Sequence, residues 1–304
     1  MTPGYAKSRA ELPHLYYPEC DKTMIINSHN FGGGLLLDEH LGATAAYSLR
    51  KLRTAYAGSS IRVRRSSDNA EQDIGFDGTG FLDIAALLAF CAAGDGLITK
   101  LYDQQNSNDQ VQSTPGTQPK IVSAGSLITS NGRAAWSDVG GLGFSSVAIS
   151  EATAYSLFVV QQLQDTNANF GPRWFDFRNG GQGHICKTSS TNTIYTADYG
   201  VDMSGLSINF AGMFSQTLAS SCGSGASSGS NTGSFDFRVN GSILESSFSS
   251  RSAVIVDLGG KTGTNMFNAA ASIGLRQELI FFSSDKSGSQ SEIEEDMNNF
   301  WDVY

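Results

Sequence analysis

The chain has 304 residues, a formal charge of −9, 40% apolar and 16% charged side chains, 34 glycines and 6 prolines. So few charges among abundant Gly, Ser, Asn and Thr exclude a coiled coil or a long helical bundle, and 18 Phe, 10 Tyr and 3 Trp exclude a wholly disordered chain. An acidic chain also lacks the basic surface that displaces counterions from nucleic acid or anionic lipid, and no apolar run approaches a membrane span, so neither partner is expected.

Residues 1–34 stand apart from the rest. They hold three of the six prolines, His14, His29 and the run Gly32-Gly33-Gly34, without periodicity. The reading is an arm that attaches to a partner, or else a flexible tail. The opening MTPGYAKSRAELPHLYYPEC has no basic patch followed by an apolar block, so no secretory signal is expected in it.

From Thr44 to Tyr56, the residues Ala45, Leu49, Leu52 and Tyr56 recur at helical spacing, with Arg50, Lys51 and Arg53 left outside. This predicts a short amphipathic helix ended by Gly58. Ile61–Arg65 alternates as a strand does. Its row Arg62, Arg64 and Arg65 either holds an anionic sugar or carboxylate, or pairs with Asp68, Glu71 and Asp73 on a solvated face. Asp83 reads as the N-cap of a second helix with Ile84, Leu87, Leu88 and Cys91 on one face, which makes Cys91 a packing residue.

A strand is expected at Leu97–Tyr102, and a polar loop runs from there to Pro119. Further strands are expected at Tyr155–Gln161, Trp174–Phe177, Leu206–Phe214, Phe235–Val239, Ala253–Leu258 and Gln277–Phe282, with Asn-Gly turns at Asn131-Gly132 and Asn240-Gly241. Ser220 to Ser234 is a Gly/Ser-rich surface loop with Cys222 exposed in it. Ser291 and Glu294 have the spacing of a capping box, so the chain is expected to close with a helix that buries Ile293, Met297 and Phe300. The fold class is all-β: an antiparallel β-sandwich of the jelly-roll kind over residues 35–304, with a few short peripheral helices, preceded by the arm 1–34.

The four cysteines lie far apart with no CxxC pair, which predicts no zinc site and thiols kept reduced. Phosphate-cradling and serine-hydrolase motifs are missing, and neither cofactor nor metal is expected. His184, in Gly183-His184-Ile185, reads as a packed or hydrogen-bonded residue. Glycoside hydrolysis needs two facing carboxylates, and Asp103, Asp176, Asp236, Asp257 and Glu278 lie on expected strands or strand ends. Asp176 and Asp236 share one setting, Trp-Phe-Asp-Phe-Arg and Ser-Phe-Asp-Phe-Arg, and are either a catalytic pair or part of a polar strand face. Tyr195, Tyr199 and Trp174 are candidates for stacking on sugar rings, with core packing the alternative for Trp174.

The stretches Ala45 to Leu52, Ile61 to Asp73 and Phe90 to Gln104 resemble the N-terminal half of the catalytic domain of α-L-arabinofuranosidase B, a concanavalin-like sandwich. Ile273 to Tyr304 is similar to the last strand and helix of laminin-G/concanavalin-like modules. The resemblance covers roughly residues 35–304 and implies the fold more than the activity. It implies a nucleophilic Glu shortly after a Gly-His pair, where this chain has Cys186 after Gly183-His184-Ile185. It implies an acid/base Asp before the last strand, where Ser272 to Arg276 holds no carboxylate; with both groups replaced, retaining hydrolysis is lost. Of the family's close cysteine pair only Cys91 remains, with Gly96 near the other position.

Similar segments occur in bacteriophage virion proteins. The expected function is therefore a non-catalytic virion component, a fibre, tail or capsid decoration. Its arm would contact other virion proteins, its sandwich a host-surface glycan, and its copies would assemble, as a trimer for preference. An arabinofuranosidase-type glycoside hydrolase and a bacterial carbohydrate-binding or adhesion module are the alternatives.

Overall fold

The structure, a computed structural model, describes residues 34–105, 108–137, 154–164, 173–179, 182–188, 193–196, 199–202, 211–219, 231–239, 241–251 and 273–304. The arm 1–33, the Gly/Ser-rich stretch around Cys222, and the expected strand Ala253–Leu258 with Asp257 lie outside the described residues.

The first half holds α1 (Leu36–Glu39), β1 (Ala43–Ser48), β2 (Ile61–Arg65), β3 (Glu71–Ile74), α2 (Ile84–Cys91) and β4 (Gly96–Leu101). Short strands follow: β5 (Gln110–Val111), β6 (Lys120–Ser123), β7 (Ser126–Leu127), β8 (Thr129–Ser130), β9 (Arg133–Ala134) and β10 (Trp136–Ser137). The second half holds β11 (Ala154–Gln164), β12 (Arg173–Asn179), β13 (Gln182–Thr188), β14 (Thr193–Thr196), β15 (Tyr199–Asp202), β16 (Ala211–Ala219), β17 (Asn231–Val239), β18 (Ser242–Arg251), β19 (Ile273–Phe282) and α3 (Gln290–Trp301). The protein is an antiparallel β-sandwich with a few short helices, as the turn-rich composition predicts.

The large sheet runs β18-β17-β16-β11-β19-β10-β6-β4-β2-β3. Its central strand β19 lies along β11 on one side; its other edge serves β10 at Leu275 and Arg276, then β1 from Glu278 to Phe282. The handover falls at Gln277, whose side-chain amide donates to the carbonyls of Ser130 and Ala134 at 3.2 Å. Core residues come from both halves of the sheet, including Val63, Ile98 and Ile121 on one side and Phe158, Leu279 and Phe281 on the other.

The expected helix over Thr44–Tyr56 is not formed. Ala45, Leu49, Leu52 and Tyr56 are all buried, as their pattern implies, but in a strand and the irregular chain that follows it. Residues 43–48 pair with β19 from Phe282 back to Glu278, and Leu49, Lys51 and Leu52 bond to Leu82, Gly80 and the Gln104 side chain. A segment buried on both faces carries apolar residues at every spacing, so a helical subset is found by chance.

Arg50, expected outside, is 1% exposed. Its guanidinium donates to Glu278 through Nε at 2.7 Å and Nη2 at 3.0 Å, and Nη1 lies 2.6 Å from Asp296 in an ion pair off the hydrogen-bond line. Glu278, also 1% exposed, accepts further from Ser48 Oγ at 2.7 Å and Trp301 Nε1 at 3.0 Å. Burial on its own would ease the proton off Arg50; the charges of Asp296 and Glu278 outweigh it and hold the cation.

Helix α2 begins where Asp83 caps it, Oδ1 accepting from Ala86 N at 2.8 Å, but only Leu87 and Cys91 are buried and Ile84 is 36% exposed. The capping box expected at Ser291 is absent: α3 starts at Gln290, and Ser291 Oγ and Glu294 Oε2 instead take Arg238 Nη1 from β17 at 3.0 and 3.4 Å. Ile293, Met297 and Phe300 are buried as expected, joined by Trp301. A Cβ added at Gly96 would lie 2.7 Å from Cys91 Sγ, 3.1 Å from Val122 Cβ and 3.2 Å from Val63 Cγ1. Side chain and glycine therefore fill one space, at the two positions where the resemblance puts a cysteine pair.

Two outcomes follow from these contacts. Glu278→Gln takes from buried Arg50 the carboxylate that accepts its Nε and Nη2, and urea unfolding should show a loss of about 3–5 kcal/mol with an unchanged m-value. Gly96→Ala overfills the space beside Cys91 and should cost about 1–3 kcal/mol by the same measurement.

Candidate functional site

The second sheet gathers most of the residues singled out for chemistry. Its order is β12-β13-β14-β15, each neighbour antiparallel to the next. The sequence sets this register locally. Asn179 pairs with Gln182 across Gly180-Gly181, and Thr196 pairs with Tyr199 across Ala197-Asp198, both two-residue connections of the kind that close hairpins. The alternation of Phe175-Asp176-Phe177 then falls against Gly183-His184-Ile185-Cys186.

In that register Asp176 stands opposite His184, Phe175 opposite Ile185, and Cys186 between Arg173 on β12 and Tyr195 on β14. Trp174 falls in an irregularity of the β12 ladder between Arg173 and Phe175, and a second lies between Asp176 and Asn179. Such bulges are frequent beside functional sites, where they re-aim a strand. Tyr195 pairs with Gly200, and Tyr199 with Thr196. Trp174, Asp176, Cys186, Tyr195 and Tyr199 thus belong to one small sheet.

The other candidates lie elsewhere. Asp236 is on β17, opposite Thr217, next to one end of the large sheet; Arg62 and Arg64 are on β2, next to the other end. Asp176 and Asp236, alike in sequence, therefore sit on different sheets.

Arg62 binds Asp73 through Nε at 2.6 Å and Nη2 at 2.9 Å, and Tyr102 donates its hydroxyl to the same carboxylate at 2.7 Å. Arg64 binds Gln118 Oε1 at 2.7 Å and Asn69 Oδ1 at 2.6 Å; Arg65 binds Asp68 at 2.6 Å. The row is a strand face paired within the protein, which was one of its two readings. The hydrogen bonds from Arg62 hold the Asp73 carboxyl below its usual 3.8, despite partial burial, and Tyr102 also contributes. Burial and the bond to Asp73 push Tyr102 up to about 12.

Two of the candidate carboxylates serve the fold. Glu278 anchors Arg50, as described above. Asp103, also buried, accepts from Ala46 N at 2.8 Å and from the backbone of Gln105 and Asn108 at 3.0 Å, which holds the loop after β4. Among the described residues no group of three or more His, Cys, Asp or Glu is placed to hold a metal ion, and no helix is long and apolar enough to cross a membrane. The register adds His184 to the candidates of the small sheet: it pairs with Asp176 and lies two positions before Cys186 on β13.

The structure is similar to a point mutant of GH54 α-L-arabinofuranosidase soaked with 4-nitrophenyl α-L-arabinofuranoside (TM-score 0.60, 18% identity, 85% of this chain and 63% of that one). It is similar to an arabinofuranosidase complexed with arabinofuranosyl-α-1,2-xylobiose (TM-score 0.59, 19% identity, 88% and 65%). The chain spans less than two thirds of the length of these structures. No curated protein matches the sequence.

The family model for the catalytic domain of α-L-arabinofuranosidase B matches residues 40–202, more than half of the chain, and the chain belongs to that family. This overturns the expectation of a non-catalytic virion protein. The matched region includes the whole small sheet, and its family is defined by a glycoside hydrolase catalytic domain.

The Arg62–Asp73 pair has a checkable pH signature. Asp73 has a folded-state pKa below its unfolded one, so its contribution is present above pH 3.8 and is lost as pH falls through the lower, folded value. Both side chains are over a third exposed and screened by solvent. Asp73→Asn should therefore cost less than about 1 kcal/mol at neutral pH, and denaturation curves of variant and parent should converge below pH 3.8.

Proposed function

We propose that this chain is a glycoside hydrolase domain of the arabinofuranosidase type, acting on α-L-arabinofuranosyl groups. The observation that carries the reading is the extent of the family match, which runs through β12–β15 and therefore includes Asp176, His184 and Cys186. Its solved relatives bear out the fold and are, by their descriptions, arabinofuranosidases in complex with an arabinofuranoside or an arabinofuranosyl-xylobiose. On this reading Asp176 supplies a carboxylate of the site, and Tyr195 and Tyr199 offer rings against which a sugar packs.

One observation favours a second reading. Cys186 and the segment Ser272 to Arg276 stand where two carboxylates are implied, and a domain lacking both would bind the sugar without turning it over.

The deciding assay is release of 4-nitrophenolate from 4-nitrophenyl α-L-arabinofuranoside by the intact chain. Release is expected, with kcat/KM falling by about 10²-fold or more in Asp176→Asn. Saturable binding of the glycoside, seen by ligand-observed NMR, with no release would replace the hydrolase by the binding module.

A further inference from the structure

Cys186 occupies a position with chemistry-bearing neighbours on every side. On its own strand His184 is two residues away, hence on the same face of the pleat, about 7 Å along the strand. Across the ladder to β12, Asp176 stands opposite His184 and Arg173 opposite Cys186. Paired positions have Cβ atoms about 4.5–5.5 Å apart. By register a carboxylate, an imidazole and a thiol thus occupy adjoining positions of β12 and β13, and an arginine is paired with the position of the thiol. A base next to a thiol, oriented by a third group, is the arrangement that makes cysteine a nucleophile, and cationic neighbours favour its thiolate.

We infer that Cys186, His184 and Asp176 form a thiolate nucleophile, and that the first chemical step of this domain transfers the arabinofuranosyl group to the Cys186 sulfur. The inference rests on the arabinofuranoside reading above. His184 takes the thiol proton, and Asp176 stabilises the imidazolium. The thiolate attacks the anomeric carbon: the S–C1 bond forms, the C1–O bond to the aglycone breaks, and the aglycone oxygen leaves with the bonding pair. It ends as the alcohol or phenol by taking up the proton, so thiol and glycoside give thioglycoside and free aglycone. Nothing is oxidised or reduced. Sulfur is a poor proton acceptor, so acid helps little in breaking the new C–S bond. Hydrolysis of the sugar–enzyme adduct is therefore slower than its formation, and the adduct accumulates.

Cys91 is the internal control. It is buried against Gly96, and burial pushes its thiol pKa up. The test is rapid mixing of the intact chain with 4-nitrophenyl α-L-arabinofuranoside, followed by intact-mass measurement and peptide mapping. The expected result is a burst of nitrophenolate of one per chain, then slower turnover, with one pentosyl group on Cys186 and none on Cys91. Cys186→Ala should abolish burst and adduct, and His184→Gln should slow the burst by about 10²-fold or more. Mapping the adduct on the unmutated chain keeps the test independent of whether either variant folds.

Release that is linear from the first turnover, leaves no adduct and survives Cys186→Ala would overturn the thiolate assignment while the hydrolase reading stands. No release from the unmutated chain would overturn both. A pentosyl group mapped to another residue would overturn the choice of Cys186 alone.

Discussion

Glu278 lies in the middle of β19, and its carboxylate accepts hydrogen bonds from Arg50, Ser48 and Trp301, which arrive from the end of β1, the turn after it and the last turn of α3. A guanidinium and a carboxylate taken out of water each cost several kcal/mol, and their attraction offsets this only when geometry and remaining hydrogen bonds are nearly complete. Here Asp296 supplies a second negative charge to Arg50, and a phenyl ring, that of Phe300, lies 4.7 Å from it. The arrangement forces three elements into one relative placement. Leu or Met at these positions would fill the volume equally well but would accept a rotated helix or a slipped strand. The core therefore carries orientation as well as burial, and the sheet built outward from β19 depends on it.

How much of this was legible in the sequence depended on which physical quantity the pattern reported. Apolar residues report burial, and Ala45, Leu49, Leu52 and Tyr56 are buried as they suggested. Their spacing does not report conformation when both faces of a strand are covered, which is why a helix was expected where β1 pairs with β19. Where one face is solvated, as at Ile61–Arg65, the alternation was sufficient. Asp83 showed itself as a cap because its partner is three residues away, whereas Glu294 spends its oxygen on Arg238, a residue 56 positions earlier that no local pattern can reveal. Buried charge pairs share this property. Arg50 looked like a surface residue because its partners lie in the last tenth of the chain.

The same distinction holds for the site. The resemblance to the arabinofuranosidase family was readable in Ala45 to Leu52, Ile61 to Asp73 and Phe90 to Gln104, and the family match bears it out. The functional expectation failed because it weighed two replaced carboxylates, at Cys186 and in Ser272 to Arg276, above the extent of the resemblance. Asp176 and Asp236 looked equivalent because only a local context was compared, and strand order separates them. Register supplied what spacing could not. It brings His184, read from the sequence as a packed or hydrogen-bonded residue, opposite Asp176 and onto the strand of Cys186.

The pairing of β1 with β19 has a consequence for how the chain acquires this structure. Thr44 and Ser283 meet through their hydroxyls at a sequence separation of 239, and the ladder between their strands joins nearly the first and the last described segments. Closing so long a loop costs entropy before any contact rewards it, and such topologies fold slowly. During synthesis at the ribosome, β1 emerges long before its partner β19 is made. Until then it is an unpaired edge that a neighbouring nascent chain can capture. Productive folding of this domain is thus a late event, governed by how long the first strand stays unclaimed.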